Sequence, residues 1–424
     1  MTAVEIVPSG PVSGRLAAPA SKSVTNRLLV VAALAGGVSV LRDPLTSDDS
    51  RSMLEAIAAF GADVEVEEGL LRVSGTGGDV RTPSAPVDAG LSGTTMRFVS
   101  GLAALAPGRA TVTGAPPLLR RPVGPLTAAL TGLGADVRDQ GGYPPVVAGG
   151  GLDGGSVSVD ATASSQFVTA VLLVAPYAQR EVIVEVQGAT AGGYVDLTAA
   201  VMRDWGARVD RQDGARWRVA AGHRYTARDR GVEYDASAAA HLLALAAATG
   251  GAVTVTNAAP ATHQPDAALT DVLAAMGCAV QRDGTAVTAT GPDRLVPVDV
   301  DLSAMPDQVT TVAALAALAG GPSTITGVAV TRGHETDRLA ALTGELAKLG
   351  VAVEERPDGL VVHGGTARGP ARLATHDDHR LAMAFASVAA RVPGVVIDDP
   401  ACVAKTYPGF WADLDRLGVR WTER

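Results

Sequence analysis

The sequence has few aromatic residues and little cysteine. Only 4% of its residues are aromatic although 47% are hydrophobic, which favours a core of Ala, Val and Leu with many tight turns among its 49 glycines. The two cysteines, Cys278 and Cys402, provide no disulfide framework and indicate a reducing compartment. We therefore expect a cytoplasmic protein.

Net positive charge and long apolar runs are missing as well. The formal net charge of -9 argues against a nucleic-acid partner bound through bulk charge, so any anion site must be a local cluster of Lys and Arg. Apolar runs such as residues 28–34 are too short to span a bilayer, and no membrane partner is expected. The N-terminal residues lack a signal-peptide pattern. No Walker loop and no dinucleotide fingerprint of the usual spacing occurs.

A short motif around one glycine occurs six times. The glycines are 73, 72, 71, 73 and 68 residues apart and follow a large apolar residue: Gly61, Gly134, Gly206, Gly277, Gly350 and Gly418. Such a period indicates a repeated supersecondary unit, here a small α/β layer. Each glycine suits the left-handed position that ends a helix, and a hairpin of two strands is predicted after it.

A second helix is predicted in every unit, and its start carries polar residues that can cap it. These starts lie at Ser21–Ser23, Ser92–Thr94, Ser164–Gln166, Ala236–Ser237, Pro306–Gln308 and Asp377–Arg380. If the units share one geometry, these starts should gather in a few places. Free N–H groups and the positive dipole end at a helix start favour anions, which predicts a phosphate or carboxylate ligand.

The chain ends soon after its sixth glycine, without room for a trailing strand. Residues 4–7 alternate like a strand, so we expect the N-terminus to complete the last unit. Three units would then form each of two domains. One domain is predicted at residues 20–234 and a discontinuous one at 1–19 and 235–424, with a hinge near 19–20 and 234–235. We expect a monomer.

Two other motifs allow competing interpretations. The sequence from His376 to His379 contains metal-ligand residue types, but the adjacent Arg380 opposes a cation, so no metal is predicted. Cys402 lies near Lys405, which makes a reactive thiol conceivable, although a packed thiol is favoured.

The polar clusters also carry a resemblance. In chain order they are SKSVTNR (21–27), SDD (47–49), SGTTMR (92–97), RRP (120–122), ASSQF (163–167), MPD (305–307), HETDR (334–338), DDHR (377–380) and AKT (404–406). From end to end the chain resembles the 5-enolpyruvylshikimate-3-phosphate synthase family of enolpyruvyl transferases. The resemblance implies two inside-out α/β domains, each of three repeated βαβαββ units, which agrees with the six glycine motifs.

The resemblance also implies a reaction and a set of site residues. The enolpyruvyl group of phosphoenolpyruvate would pass to the 5-hydroxyl of shikimate-3-phosphate with release of phosphate, and no cofactor is expected. The implied catalytic residues are Lys22, Asp307 and Glu335. Phosphoenolpyruvate would meet Lys22, Gly93, Arg121, Gln166, Arg338, Arg380 and Lys405. The acceptor would meet Ser23, Arg27, Ser164, Ser165, Gln166, Tyr194, Asp307 and His334, with Asp49, Thr94, Arg97 and His379 in support.

This sequence departs from the family pattern at several positions. The family usually has Asn in place of Leu91 and of Asp377, Ser and Pro within residues 191–194, and Lys in place of His334. Ala191 would remove a contact to the acceptor phosphate. These departures bear on the identity of the acceptor more than on the enolpyruvyl chemistry.

Two alternatives stay open at this point. One is a related transferase with another phosphorylated sugar or nucleotide as acceptor. The enzyme that acts on UDP-N-acetylglucosamine usually carries a Cys in the loop aligned with residues 116–121, and this sequence has none there. The other alternative is a non-catalytic anion-binding scaffold, which would be expected to lack Lys22, Asp307 or Glu335.

Overall fold

The structure, a computed structural model, describes residues 2–188 and 192–424. The strands in these residues are β1 Ala3–Val7, β2 Gly14–Leu16, β3 Gly36–Arg42, β4 Asp63–Glu67, β5 Leu70–Thr76, β6 Val87–Asp88, β7 Ala110–Thr113, β8 Asp136–Arg138, β9 Val146–Gly149, β10 Gly155–Asp160, β11 Val182–Gln187, β12 Val209–Asp213, β13 Arg216–Val219, β14 Asp229–Gly231, β15 Ala252–Val255, β16 Ala279–Asp283, β17 Ala286–Thr290, β18 Asp299–Asp301, β19 Pro322–Thr326, β20 Ala352–Arg356, β21 Gly359–His363, β22 Ala371–Leu373, β23 Val395–Asp398 and β24 Arg420–Glu423.

The α-helices in the same residues are α1 Lys22–Leu34, α2 Asp48–Ala59, α3 Gly93–Ala104, α4 Gly124–Gly132, α5 Gln166–Val174, α6 Gly192–Asp204, α7 Ala236–Thr249, α8 Leu269–Ala275, α9 Val309–Leu318, α10 Arg338–Lys348, α11 His379–Ala389 and α12 Phe410–Arg416. Short 3-10 turns lie at Leu118–Arg120, Ala175–Tyr177, Pro265–Ala268, Pro306–Gln308, Ala329–Gly333 and Pro400–Lys405.

The chain divides into two compact units. The continuous unit is Ala20–Val232, and the split unit is Met1–Pro19 together with Glu233–Arg424. The second boundary was predicted two residues later, between 234 and 235. It falls earlier because Tyr234 is buried in the hydrophobic core of the split unit.

Each unit contains three four-stranded sheets of one topology in the part of the chain that the structure describes. In the continuous unit the strand orders are β14-β3-β5-β4, β6-β7-β9-β8 and β10-β11-β13-β12; in the split unit they are β2-β15-β17-β16, β18-β19-β21-β20 and β22-β23-β1-β24. The first two strands of each sheet are parallel, and the other pairs are antiparallel. The sixfold repeat in the sequence thus corresponds to six equivalent sheets.

The N-terminal strand completes the last repeat, as predicted. Strand β1 lies between β23 and β24, and its register sets Val4 opposite both Ile397 and Glu423. Strand β14 completes the first sheet of the continuous unit in a similar way, by pairing with β3. Strand β2 also pairs with the distant β15, so the split unit closes two sheets with a strand from a distant part of the chain and the continuous unit closes one.

Three central helices form the core of each unit. In the continuous unit α1, α3 and α5 contact one another, and in the split unit α7, α9 and α11 do so. Almost every residue of these six helices is buried. A helix that is apolar on all sides is stable only when it is surrounded. The small side chains of a sequence with few aromatic residues let the helices pack closely, with the sheets around them.

The six repeated glycines all adopt positive φ, as their position after a helix predicted. Their φ values are +106°, +102°, +97°, +94°, +76° and +78° for Gly61, Gly134, Gly206, Gly277, Gly350 and Gly418. Left-handed backbone is unfavourable for residues with a Cβ, so glycine is the residue that ends these helices. The repeat is thus visible in the sequence because the helix ends require it.

The predicted starts of the central helices are confirmed, with one difference. Ser21, Ser92, Asp235 and Asp378 cap α1, α3, α7 and α11 through their side chains. The segment Pro306–Gln308 instead forms a 3-10 turn, and α9 begins only at Val309.

Candidate active site

Charged side chains gather in the split unit where three helices begin. Asp307 lies in the 3-10 turn before α9, Arg338 is the first residue of α10, and Arg380 is the second residue of α11. Arg338 donates to Asp307 at 2.7 Å, and Arg380 donates to the other oxygen of Asp307 at 2.8 Å. Of the starts predicted to gather, those of α9 and α11 lie together, and α10 begins beside them.

Arg338 is the centre of this cluster. Its Nε donates to Asp378 at 2.7 Å and its Nη2 to the other Asp378 oxygen at 3.3 Å. The same Nη2 donates to Glu335 at 3.1 Å. The Arg338 side chain is 1% exposed and that of Asp378 is fully buried. Such a fork of parallel bonds fixes the plane of the guanidinium.

Lys405 and His334 complete the cluster. Lys405 Nζ lies 2.7 Å from Glu335 Oε1, and His334 Nδ1 lies 3.3 Å from Asp307 Oδ1. The cluster thus contains three cations, Arg338, Arg380 and Lys405. They face three carboxylates, those of Asp307, Glu335 and Asp378. The side chains of Asp307, Glu335, His334 and Lys405 keep 12–20% exposure, so a ligand can reach them.

The electrostatic environment keeps Asp307 ionised. Burial raises the pKa of its carboxyl, but Arg380, the hydrogen bond from His334 and Arg338 outweigh burial and hold the pKa well below its usual range. Burial lowers the pKa of His334, against the opposing effect of its bond with Asp307. At neutral pH the cluster therefore contains a carboxylate and a neutral imidazole side by side.

A buried histidine lies behind the cluster. His241, in the middle of α7, is fully buried, and its Nδ1 is 3.3 Å from Thr311 Oγ1 of α9. Burial lowers its pKa to about 3, with further contributions from Arg380 and Arg338. It was not among the predicted site residues, because in the sequence it is one residue of an Ala- and Leu-rich helix.

The continuous unit holds the other predicted residues, beginning with Lys22 at the start of α1. Lys22 Nζ lies 3.4 Å from Asp49 Oδ2 in the first turn of α2, and the Asp49 side chain is 4% exposed. The backbone carbonyl of Asp49 accepts from Thr95 Oγ1 in α3 at 3.5 Å. The starts of α1, α2 and α3 therefore lie together within this unit as well.

Gly93 packs against an arginine. A Cβ added to this first residue of α3 would lie 2.7 Å from Arg121 Nη1 and 2.9 Å from its Cζ. The missing side chain thus leaves room for the guanidinium directly beside the N–H groups of the helix start. An anion bound here could accept hydrogen bonds from the guanidinium on one side and from the N–H groups of the helix start on the other.

Gln166 is oriented by two residues of α3. Arg97 Nη1 donates to its Oε1 at 2.7 Å, and its Nε2 donates to Thr94 Oγ1 at 3.3 Å. The backbone N–H of Gln166 donates to Ser164 Oγ at 3.2 Å. Ser165, immediately before α5, makes no side-chain cap bond. Gln166 and Ser165 remain partly exposed, whereas Ser164 and Arg97 are buried.

Arg27 is the most enclosed of the predicted acceptor ligands. Its guanidinium donates to Thr198 Oγ1 at 2.9 Å and to the carbonyls of Ser23 at 2.7 Å and Tyr194 at 3.2 Å. Its Cζ lies 5.5 Å from the centre of the Phe98 ring. Burial lowers the pKa of Arg27 to about 10. Its contact with an acceptor carboxylate stays a prediction.

The predicted site residues thus form one set in each unit. The split unit brings together Asp307, His334, Glu335, Arg338, Arg380 and Lys405, with His379 buried beside Asp378. The continuous unit holds Lys22, Ser23, Arg27, Asp49, Gly93, Thr94, Arg97, Arg121, Ser164, Ser165, Gln166 and Tyr194. Ala191, one of the departures from the family pattern, lies outside the described residues.

Asp378 is an important residue of the cluster that was not among the predicted site residues. Its neighbour Asp377 has the same chemistry, but Asp377 has φ +58° and is exposed, whereas Asp378 caps α11 and is fully buried. The motif signal was present in the sequence, since Asp378 lies in the helix-capping position just before His379.

Among the described residues, no group of three or more His, Cys, Asp or Glu side chains is arranged to hold a metal ion.

The chain matches the family model described as EPSP synthase (3-phosphoshikimate 1-carboxyvinyltransferase) over residues 6–414. The chain belongs to the EPSP synthase family. Its central helices, capped by Ser21, Ser92, Asp235 and Asp378, are therefore those of an EPSP synthase fold, and the resemblance drawn from the motifs is confirmed. Within the described residues, no helix is both long and apolar enough to cross a membrane.

Relatives of the EPSP synthase family match over almost the whole chain. A 3-phosphoshikimate 1-carboxyvinyltransferase of Methanoculleus marisnigri is 41% identical, over 98% of this chain and 99% of its own length. That of Syntrophobacter fumaroxidans is 43% identical, over 97% and 99%. A solved structure of EPSP synthase from Acinetobacter baumannii covers 100% of both chains with a TM-score of 0.84 at 24% identity, which confirms the fold.

Proposed function

We propose that this member of the EPSP synthase family transfers the enolpyruvyl group of phosphoenolpyruvate to the 5-hydroxyl of shikimate-3-phosphate and releases inorganic phosphate. The observation that carries the proposal is the split-unit cluster, where Arg338, Arg380 and Lys405 surround the carboxylates of Asp307 and Glu335. Both substrates are anionic, and this protein of net charge -9 concentrates cations at that place.

Phosphoenolpyruvate would bind to the cations of both residue sets. Its phosphate and carboxylate match the forked donors of Arg338 and Arg380 and the point charge of Lys405. From the continuous unit, Lys22, Arg121, Gln166 and the N–H groups at Gly93 would contribute. In the structure, Asp307 and Glu335 pair with the split-unit cations. The anionic groups of phosphoenolpyruvate would replace them as partners.

That exchange of partners would prepare the catalytic groups. When the substrate engages Arg380 and Arg338, the main causes of the low pKa of Asp307 weaken, so Asp307 becomes a stronger base. Asp307 then accepts the proton of the 5-hydroxyl or orients it. The hydroxyl oxygen bonds to C2 of phosphoenolpyruvate while C3 gains a proton from Lys22 or from Glu335 in its protonated form. A C3 proton of the tetrahedral intermediate then returns to the group that donated the first one, phosphate leaves, and the enolpyruvyl ether forms.

The acceptor would be held mainly by neutral donors. Ser164, Ser165 and Gln166 would meet the phosphate, Ser23 and Arg27 the carboxylate, and Tyr194 and His334 the ring. This assignment is supported by the exposure of Ser165 and Gln166 near the start of α5.

We further propose that the protein acts in the cytoplasm as a monomer, in keeping with its two free cysteines.

The test is a phosphate-release assay with phosphoenolpyruvate and a panel of acceptors. We expect release with shikimate-3-phosphate and very little with shikimate or UDP-N-acetylglucosamine, and mass spectrometry should detect the enolpyruvyl ether. Release with another phosphorylated alcohol but not with shikimate-3-phosphate would refute shikimate-3-phosphate as the acceptor, while the proposed enolpyruvyl transfer would still hold. No release with any acceptor from a folded protein would refute the function.

A further inference from the structure

A cavity of about 360 Å³ opens in the split unit at the carboxyl ends of its three central helices. Its floor includes Ala248 of α7, Leu318 of α9 and Val392, which follows α11. The candidate active-site residues Asp307 and Arg380 lie at the opposite ends of α9 and α11. The cavity is therefore separate from that cluster and has the size of a small-molecule site.

Three arginines line this cavity: Arg294, Arg368 and Arg391. In the described part of the chain none of them has a carboxylate within the 4.0 Å of an ion pair. Among the described residues that line the cavity, Asp293 is the one acidic side chain. The local net charge is thus +2, in a protein whose net charge is -9.

Several carbonyls near the helix ends already have backbone partners. The carbonyl of Ala246 accepts from Gly250 and Gly251, that of Ala317 accepts from Gly365, and that of Val388 accepts from Val392. Among the described residues, the one side-chain bond from these arginines to a carbonyl is that of Arg294 to Gly320 at 3.5 Å. The guanidiniums therefore keep most of their donors available to a ligand.

The continuous unit supplies an internal comparison. Tyr177 lies three residues after the end of α5, as Val392 lies three residues after the end of α11. The Tyr177 hydroxyl donates to the carbonyl of Leu34, the last residue of α1, and its ring packs against Tyr225 at 5.7 Å between centroids. Two aromatic rings thus occupy the corresponding end of the continuous unit. In the split unit a smaller valine leaves the space open.

We propose that this cavity binds a small anion with two or more acidic groups, such as a polycarboxylate or a phosphate compound. The acidic groups would meet the three arginines at the rim, and the carbon skeleton would face the Ala, Leu and Val floor. Arginine pairs well with both carboxylate and phosphate oxygens. Three cations without carboxylate partners around an open cavity favour such a ligand over a neutral one.

The experiment measures binding of two probes by calorimetry. Citrate tests a carboxylate ligand, and inorganic pyrophosphate tests a phosphate ligand. The protein carries R380Q and K405Q to weaken anion binding at the candidate active site, and any binding that remains there would not respond to substitutions at the cavity. We expect saturable binding of at least one probe with a stoichiometry of one. The double change Arg294→Gln and Arg391→Gln should weaken it by about tenfold or more, since two charge-assisted bonds are lost.

A second variant tests the cavity without removing charge. Val392→Tyr should fill the space as Tyr177 does in the continuous unit, and it should abolish probe binding while all three arginines remain. Tyr177→Val is its matched counterpart and should leave probe binding unchanged. Absence of saturable binding to the parent protein, or equal binding by Val392→Tyr, would overturn the proposal. In that case the arginines would serve only the stability of the helix ends.

Discussion

Arg338 and Asp378 form a forked ion pair whose two side chains are almost completely excluded from solvent. Nε to Oδ2 measures 2.7 Å and Nη2 to Oδ1 3.3 Å, with 1% and 0% exposure. Asp378 also caps α11 by accepting from the N–H of Arg380 at 2.9 Å. One carboxylate therefore orients one arginine and fixes the start of the helix that carries another.

The first prediction concerns Asp378→Asn. The amide keeps the shape and capping capacity of the carboxylate but loses its charge, so the orientation of Arg338 weakens. We expect the KM for phosphoenolpyruvate to rise about tenfold and the free energy of unfolding to fall by about 2 kcal/mol or more. Steady-state kinetics and urea unfolding measure the two effects.

The neighbouring residue provides the control. Asp377 is exposed and has positive φ, a conformation that Asn tolerates well, so Asp377→Asn should leave both quantities nearly unchanged. Equal effects of the two substitutions would mean that Asp378 does not position Arg338 for the substrate.

The same two aspartates show what the sequence could and could not predict. The repeat fixed the helix ends, because only glycine accepts the φ of Gly61 or Gly350, and capping residues revealed the helix starts. Which of two adjacent aspartates turns inward depends on the backbone between strand β22 and helix α11. The sequence alone does not contain that information in a local pattern.

Long-range partners were equally hidden. Arg27 bonds to Thr198, which is 171 residues away, and Lys405 pairs with Glu335, 70 residues away. The motif order identified these side chains as candidates, but only the packing of whole repeats determines which of them meet. The pairing of Asp307 with Arg380 likewise follows from the contact between α9 and α11.

A second prediction concerns Gly93→Ala. The new Cβ would lie 2.7 Å from Arg121 Nη1, so the guanidinium must move away from the start of α3. We expect the KM for phosphoenolpyruvate to rise severalfold, and the inhibition constant of the larger inhibitor glyphosate to rise by a greater factor. Gly344→Ala is the matched control, since a Cβ there meets nothing within 4 Å. A larger effect on phosphoenolpyruvate than on glyphosate would contradict the placement of the pocket.

A third prediction concerns Lys22 and Asp307. Lys22→Met and Asp307→Ala should each lower kcat by about two or more orders of magnitude, as expected when a proton-transfer group is removed. Circular dichroism should show that both variants remain folded. Lys348→Met, at a lysine with a 44% exposed side chain, is the control for the first change and should keep normal turnover. Near-normal turnover in either site variant would remove that residue from the mechanism.

The last prediction concerns the pH dependence of stability. The pKa of His241 is lowered to about 3 in the folded protein, chiefly by burial and then by Arg380 and Arg338, whereas an unfolded histidine has a pKa of about 6.5. Below about pH 6.5 the unfolded chain binds a proton that the folded chain does not. The free energy of unfolding must therefore fall as the pH drops, by about 2 kcal/mol from this residue between pH 7 and pH 5.

Substitution of His241 isolates this effect. His241→Leu should flatten the difference in urea unfolding between pH 7 and pH 5, whereas His263→Leu, at an exposed position, should not. His334 also has a lowered pKa and contributes a slope of the same sign, so some dependence should remain. Asp307 does not interfere, because a carboxylate with a depressed pKa loses its contribution only when the pH falls below about 4. An unchanged slope in His241→Leu would show that His241 is not held neutral by its surroundings.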